Sequence, residues 1–291
     1  MQRKSRNLLL LLIAIFTLGI YCFTHQPKGV TDVSLGHVYM LDVGQGDSFL
    51  IQAPNGRQLL IDGGKDSKVL RELVNVMPVG DRSIDVVIAT HPDADHVGGL
   101  ASVLSRYQVD LFMTTQAASD TDVYMELMKL VADQQIPAYY ARHGITLMLD
   151  RQHQTRFSIL FPDRDTSGWE TNTASIVGRL DIGKTSALFT GDSPLSIEQY
   201  LAKKADPKSI DVDILKLGHH GSKTSSSLEY LRATSPILAL ISAGYHNSYG
   251  HPAPEVVSRL LSLKIPSIST IDKGTVTLSS DGVKWMTQTE K

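Results

Sequence analysis

Residues 36–291 predict a single α/β domain in which two β-sheets are packed between helices. Short apolar strand-like runs and helix-period stretches interleave along the whole segment, the pattern of helices laid over sheets. No repeat, low-complexity stretch or shift in composition divides it. The chain has 291 residues, 42% of them hydrophobic, enough for one large core.

The elements follow in order. Arg3, Lys4 and Arg6 precede an uncharged apolar run over residues 8–23. A basic flank before such a run is the pattern of an export signal or a short membrane anchor, with the rest of the chain sent outward. The expected location is therefore extracytoplasmic, secreted or anchored, with the N-terminal segment meeting membrane or export machinery. Residues 24–35 are polar, contain Pro27 and Gly29, and read as a linker. Strands are expected at 38–41, 48–51 and 58–61, with Pro54-Asn55-Gly56 as the turn between the last two. A helix over 68–76 leads to an apolar strand at 85–89 and a helix over 97–106. Further strands are expected at 109–113, 136–139, 157–161, 175–180 and 186–190, with a helix over 122–134. The second half repeats the alternation: helices at 194–203, 226–233 and 254–263, strands at 213–217 and 237–242, and terminal strands near 268, 276 and 284.

Composition narrows the chemistry. A formal net charge of −2 gives no global attraction for nucleic acid or anionic membrane, so a polyanion would need a local patch or bound metal. The single cysteine, Cys22, lies in the apolar N-terminal run, which excludes a disulfide framework or thiolate zinc site in the domain. Any metal must be held by His and carboxylate.

His91, Asp93, Asp95 and His96 supply such ligands within six residues, at the exit of the apolar run 86–89. In extended chain His91, Asp93 and Asp95 share one side, and His96 follows. Two carboxylates and two imidazoles suit zinc, manganese or iron. The alternative is a solvated turn with Asp95 at the start of a helix. Downstream, Thr190-Gly-Asp192, Gly218-His-His-Gly-Ser222 and Tyr249-Gly-His-Pro252 each stand at or beyond the end of an apolar strand. Asp62 ends another strand and is a candidate for orienting a ligand histidine through its second ring nitrogen. Asp47 and Ser48 could do similar work or close a Gly-rich turn.

With these segments the chain resembles the metallo-β-lactamase superfamily over about residues 37–287. The superfamily pattern His-x-His-x-Asp-His has Asp93 at its second histidine here. That departure, with Leu41-Asp-Val-Gly-Gln-Gly-Asp-Ser48, Ile61-Asp-Gly-Gly64, Phe189-Thr-Gly-Asp192 and His219-His-Gly-Ser222, resembles the subgroup typified by the C-terminal domain of ComEC, the DNA-uptake protein of competence. The resemblance implies an αββα four-layer sandwich. It also implies that His91 and Asp93 hold one metal, Asp95 and His96 the other, and Asp192 bridges. Asn172 aligns with a position that is normally histidine. His251 is the expected last ligand, with His219 or His220 as the acid; His219 as ligand is the alternative.

One or two divalent ions, manganese or zinc, are the expected cofactor; Asp93 shifts preference toward harder cations. Two such ions would activate a water for attack without a Ser or Cys nucleophile. The loop 219–226, with Ser222, Lys223 and backbone N–H groups, is a candidate phosphate cradle, and Asn172 would lie near the substrate. The function expected is phosphodiester hydrolysis, with nucleic acid or another phosphodiester as substrate and no protein partner evident. The alternatives are an exported β-lactam or other ester/amide hydrolase and a non-catalytic module that binds DNA or another polymer.

Overall fold

The computed structural model describes residues 35–245 and 247–290. The export or anchor segment and all but the last residue of the linker lie outside the described residues. Among the described residues no helix is long and apolar enough to cross a membrane.

The first sheet contains β1 (Gly36–Met40), β2 (Phe49–Gln52), β3 (Gln58–Ile61), β4 (Ser83–Ala89), β5 (Gln108–Thr114), β6 (Ala138–Tyr140), β14 (Val276–Ser280) and β15 (Trp285–Thr289), in the order β15-β14-β1-β2-β3-β4-β5-β6. The second contains β7 (Thr146–Asp150), β8 (Thr155–Phe161), β9 (Val177–Ile182), β10 (Thr185–Phe189), β11 (Ile214–Lys216), β12 (Leu238–Ile241) and β13 (Ser267–Ser269), in the order β13-β12-β11-β10-β9-β8-β7. In each sheet an antiparallel part passes into a parallel one: β3, β4, β5 and β6 run parallel in the first, β10, β11, β12 and β13 in the second.

Alternation explains the layering. On β4, Val86 and Ile88 enter the core between the sheets, while Val87 and Ala89 face the helices Lys68–Val76, Leu100–Leu104 and Asp122–Asp133. The second sheet repeats this, with Ala187 and Phe189 inward and Leu188 under the helices Leu195–Lys204, Leu228–Thr234 and Pro254–Ser262. A strand apolar on both faces is what a sheet covered on both sides requires. The αββα sandwich implied by the resemblance is the observed architecture.

Several elements differ from the sequence reading. The helix expected over 97–106 is two short ones, Ala94–Val97 and Leu100–Leu104, separated at Gly98-Gly99. A Cβ at Gly99 would lie 2.1 Å from the Gly63 oxygen, and one at Gly98 2.0 Å from the Lys65 oxygen, so this turn packs backbone to backbone on the loop after β3. Strand β7 was not expected. Its outer half is exposed and a register irregularity falls between Met148 and Asp150, which blurs the period. The short helices Pro207–Ile210 and Thr270–Lys273 were also not expected.

The layout places function at one rim. Asp62, His91 to His96, Asp192, the segment after Lys216 and the segment after Ile241 all follow the C-terminal ends of β3, β4, β10, β11 and β12. This is the edge where parallel α/β sheets present their loops to ligands.

Candidate metal centre

Ligand atoms of Asp47, His96, Asp192 and His220 lie within 4.8 Å of one another, and all four residues are buried. His91 packs against His96 with ring centroids 4.1 Å apart, and His96 against His220 at 5.2 Å. His219 and His251 extend the cluster outward, at 6.0 and 6.2 Å from His220 and 5.5 Å from each other.

Asp62 sets the orientation of two of these rings. It sits at φ 60°, in the left-handed region, and its carboxylate accepts from the Thr90 backbone N–H at 2.8 Å and the Thr90 hydroxyl at 2.7 Å. Its Oδ2 also accepts from His96 Nδ1 at 2.8 Å. The Thr90 oxygen in turn accepts from His91 Nδ1 at 3.0 Å. Both imidazoles thus carry their proton on Nδ1, and His220 does the same by donating Nδ1–H to the Ser242 carbonyl at 3.0 Å. The Nε2 atoms of His91, His96 and His220 are all buried without a hydrogen-bond partner. Three imidazole nitrogens left without a hydrogen-bond partner in a buried site would be costly unless they face a cation.

Asp192 occupies the middle. Its Oδ1 is 3.2 Å from His96 Nε2, and its Oδ2 is 3.4 Å from His220 Nε2 and 3.7 Å from His219 Nε2. Asp95 Oδ2 is 3.3 Å from His220 Nε2, and Asp93 Oδ2 is 3.7 Å from His91 Nε2. The Asn172 side-chain oxygen is buried with no partner at the start of the turn Asn172–Ala174. That turn is tied to the centre because Ser175 Oγ accepts from the Asp192 N–H at 3.2 Å. Orphaned nitrogens, convergent carboxylates and an amide oxygen are a donor set that fits divalent cations.

Electrostatics divides the imidazoles. Burial opposes charge on His96, yet Asp192 and Asp62 outweigh it and raise its pKa well above the ordinary value. For His220 burial is likewise outweighed, by Asp192 and Asp47, and its pKa is pushed up to about 9. Burial and the neighbouring His96 hold His91 well below the usual range. Burial, then His220 and His219, lower His251 to about 4. Asp192 itself lies well below the usual carboxylate range, because His220, His96 and Lys216 overcome its burial.

The geometry departs from the expected roles at three places. His220, not His251, supplies an Nε2 inside the gathered ligand atoms. Both His219 and His220 adopt left-handed φ, 48° and 55°, which turns the His220 ring inward and leaves the His219 ring at the mouth. Asp47, expected only to orient a ligand, brings its own carboxylate into the cluster. The phosphate-cradle expectation for 219–226 is corrected more strongly. The N–H groups of Ser226 and Ser227 donate to the buried carboxylate of Glu198 at 2.5 and 2.9 Å, and Ser222 Oγ accepts from Thr224 at 3.0 Å. These donors are used within the fold; Lys223 is exposed.

Sequence reasoning missed Lys216. It is 1% exposed, its ammonium contacts the Asp47 carboxylate, donates to the Gly191 carbonyl at 2.7 Å and lies 3.5 Å from Asp192 Oδ1. A lysine closing the apolar run Ile214-Leu215-Lys216-Leu217 directly before Gly218-His-His was the available signal.

Because Asp62 fixes His96 directly and His91 through Thr90, Asp62→Asn is expected to weaken manganese binding by about 10- to 100-fold, the usual cost of losing a group that orients a ligand. Isothermal titration of the purified variant measures it; unchanged affinity would show that packing alone holds the rings.

The sequence model of the metallo-beta-lactamase superfamily matches residues 41–245. The chain belongs to this superfamily of metal-dependent hydrolases. Among its curated relatives are ComE operon protein 3 of Bacillus subtilis, 28% identical over 260 residues, and Recombination protein 2 of Haemophilus influenzae, 30% identical over 266. The alignments cover 84% and 90% of this superfamily member but 33% and 31% of those proteins, so it spans about a third of their length. Competence protein ComA of Neisseria gonorrhoeae is similar at 30% identity. The solved structure of Igni18, a metallo hydrolase from Ignicoccus hospitalis, shares the fold, with TM-score 0.54 at 15% identity over 83% of this chain and 98% of that one.

Proposed function

We propose that this metallo-beta-lactamase domain is a phosphodiesterase that acts on nucleic acid, and that it uses manganese in preference to zinc. The observation that carries this reading is the centre itself: three Nε2 atoms without hydrogen-bond partners, those of His96 and His220 3.2 and 3.4 Å from Asp192 and that of His91 3.7 Å from Asp93, together with Asp95. Asp95, His96, Asp192 and His220 would hold one ion; His91, Asp93 and Asp192, beside Asn172, would hold a second. The three carboxylates make the donor set harder than an all-imidazole site, which favours manganese or magnesium. The printed names of the relatives, competence and recombination proteins, support DNA as the substrate class.

A bound divalent cation supplies Lewis-acid charge to a phosphoryl oxygen and makes water more acidic. The chain's own residues do the rest. His219, half-buried at the mouth, has Nδ1 3.3 Å from the Thr224 hydroxyl, whose own proton goes to Ser222. Its Nε2, 3.7 Å from Asp192, is then free to accept a proton from the attacking water and return it to the leaving oxygen. Burial lowers the pKa of His219, so the imidazole is neutral and ready to accept at pH 7. His251 stands behind it as a second neutral imidazole.

The purified chain is expected to cleave bis(p-nitrophenyl) phosphate and linear DNA with Mn2+, to do so less well with Zn2+, and to stop in EDTA. Turnover of nitrocefin in place of phosphodiesters would replace this reading by the β-lactamase one. DNA binding with no hydrolysis under any of these metals would replace it by the binding-module one.

Tyr249 offers a finer check. It is 69% exposed and its ring stacks on His251 at 5.7 Å and 22°. A base of the substrate placed on this ring would gain about 1–3 kcal/mol by stacking. Tyr249→Ala is therefore expected to raise KM for a single-stranded oligonucleotide about tenfold with kcat unchanged; an equal fall in kcat would remove Tyr249 from substrate binding.

A further inference from the structure

We propose that Lys216 is a positioning residue, a permanent cation built into the metal centre that keeps Asp47 and Asp192 in place before any divalent ion arrives. The inference rests on the metal-centre reading and adds to it the state of the site without metal.

Lys216 ends the central strand β11 and points into the rim, where its ammonium meets three oxygen-bearing groups: the Asp47 carboxylate, the Gly191 carbonyl and Asp192 Oδ1. Asp47 belongs to the loop between β1 and β2 of the first sheet; Gly191 and Asp192 follow β10 of the second. One side chain thus joins the loops of both sheets. The same residue's carbonyl accepts from the Thr190 hydroxyl at 2.9 Å, fixing the backbone of the strand beside it.

The physical need is evident from the charges. Asp47, Asp62 and Asp192, all buried, converge with the partly exposed Asp93 and Asp95 on one rim, and carboxylates this close repel unless a cation lies between them. In many metal sites the ion alone meets that need, so the fold and the ion depend on each other. Here Lys216 stands between Asp47 and Asp192, 1% exposed and covered by its partners, so it does not reach a substrate. Its own desolvation is offset by the same two carboxylates.

The experiment uses the purified full-length chain and reads the melting temperature in EDTA and in saturating Mn2+, for the wild type and Lys216→Met. The variant is expected to melt about 10 °C lower in EDTA and to recover half or more of that loss in Mn2+, because the ions then replace the missing charge. An equal loss in both conditions, or none in EDTA, overturns the proposal. If Lys216→Met does not fold, the double variant Asp47→Asn with Lys216→Met decides, since it removes ammonium and partner charge together. Recovery of a folded protein in EDTA supports the proposal, and failure to recover overturns it. If Mn2+ shifts neither wild type nor variant, the metal-centre reading falls, and the double variant in EDTA still decides whether Lys216 balances Asp47.

Discussion

Asp192→Ala is expected to lower the proposed phosphodiester hydrolysis by about a thousandfold or more and to remove most of any bound metal, the scale expected when a group central to a catalytic unit is deleted. The carboxylate is the only one of the centre whose two oxygens face His96, His220 and His219 at 3.2–3.7 Å while Lys216 lies at 3.5 Å. Its neighbours face other atoms: Asp95 approaches His220 alone among these groups, Asp93 reaches His91, and Asp47 approaches His96 and His220 from the Nδ1 side. Truncation also leaves His96, His220 and Lys216 with Asp47 as their one remaining shared carboxylate, and breaking buried pairs in this way costs about 3–5 kcal/mol. Asp192→Asn keeps the shape and the N–H bond to Ser175 and loses only the charge, so the two variants separate ligand loss from collapse. The assay pairs initial rates on bis(p-nitrophenyl) phosphate with elemental analysis and a melting curve. Wild-type turnover in a folded Asp192→Ala protein would place the chemistry elsewhere.

How much of this centre could be read in advance depended on how local its parts are. His91 to His96 were legible because four ligand-type side chains follow one apolar strand, and Asp192 because Gly-Asp closes another. The choice between His220 and His251 was not legible. Adjacent histidines differ by one position, and only the left-handed backbone at 219 and 220, φ 48° and 55°, decides which ring turns inward. Periodicity carries no trace of that. The Ser-rich loop misled for a different reason: the carboxylate that takes its N–H groups, Glu198, lies on a helix about thirty residues earlier, and such long-range pairing leaves no local pattern. Lys216 combined both difficulties, a single charge in an apolar strand whose partners come from two other loops. The layers of the fold were easier, because both faces of β4 and β10 are apolar and only a covered sheet accounts for that.

The same buried charges make metal affinity strongly dependent on pH. In the metal-free chain His96 is raised well above 6.5 and His220 to about 9, so the fold favours their protonated forms. The stability they contribute is complete below pH 6.5 and is lost as pH rises through the folded values. For His220 this amounts to about 3 kcal/mol by pH 9. His91, held well below 6.5, and His251, lowered to about 4, act in the opposite sense. Their contribution is present above pH 6.5 and is lost as pH falls toward 4. Metal-free stability is therefore expected to peak near pH 6.5 and to decline on both sides. A cation that uses the Nε2 atoms of His96 and His220 must displace their protons, so between pH 6.5 and about 9 its affinity rises about tenfold per unit for each proton released. With two protons released, Mn2+ binding is expected to be up to about a thousandfold tighter at pH 8 than at pH 6.5. Titration calorimetry in buffers of different ionisation enthalpy counts the protons directly. A dissociation constant that does not change with pH, with no proton released, would mean that the ion avoids both imidazoles and that their alignment by Asp62 and Ser242 serves the fold alone.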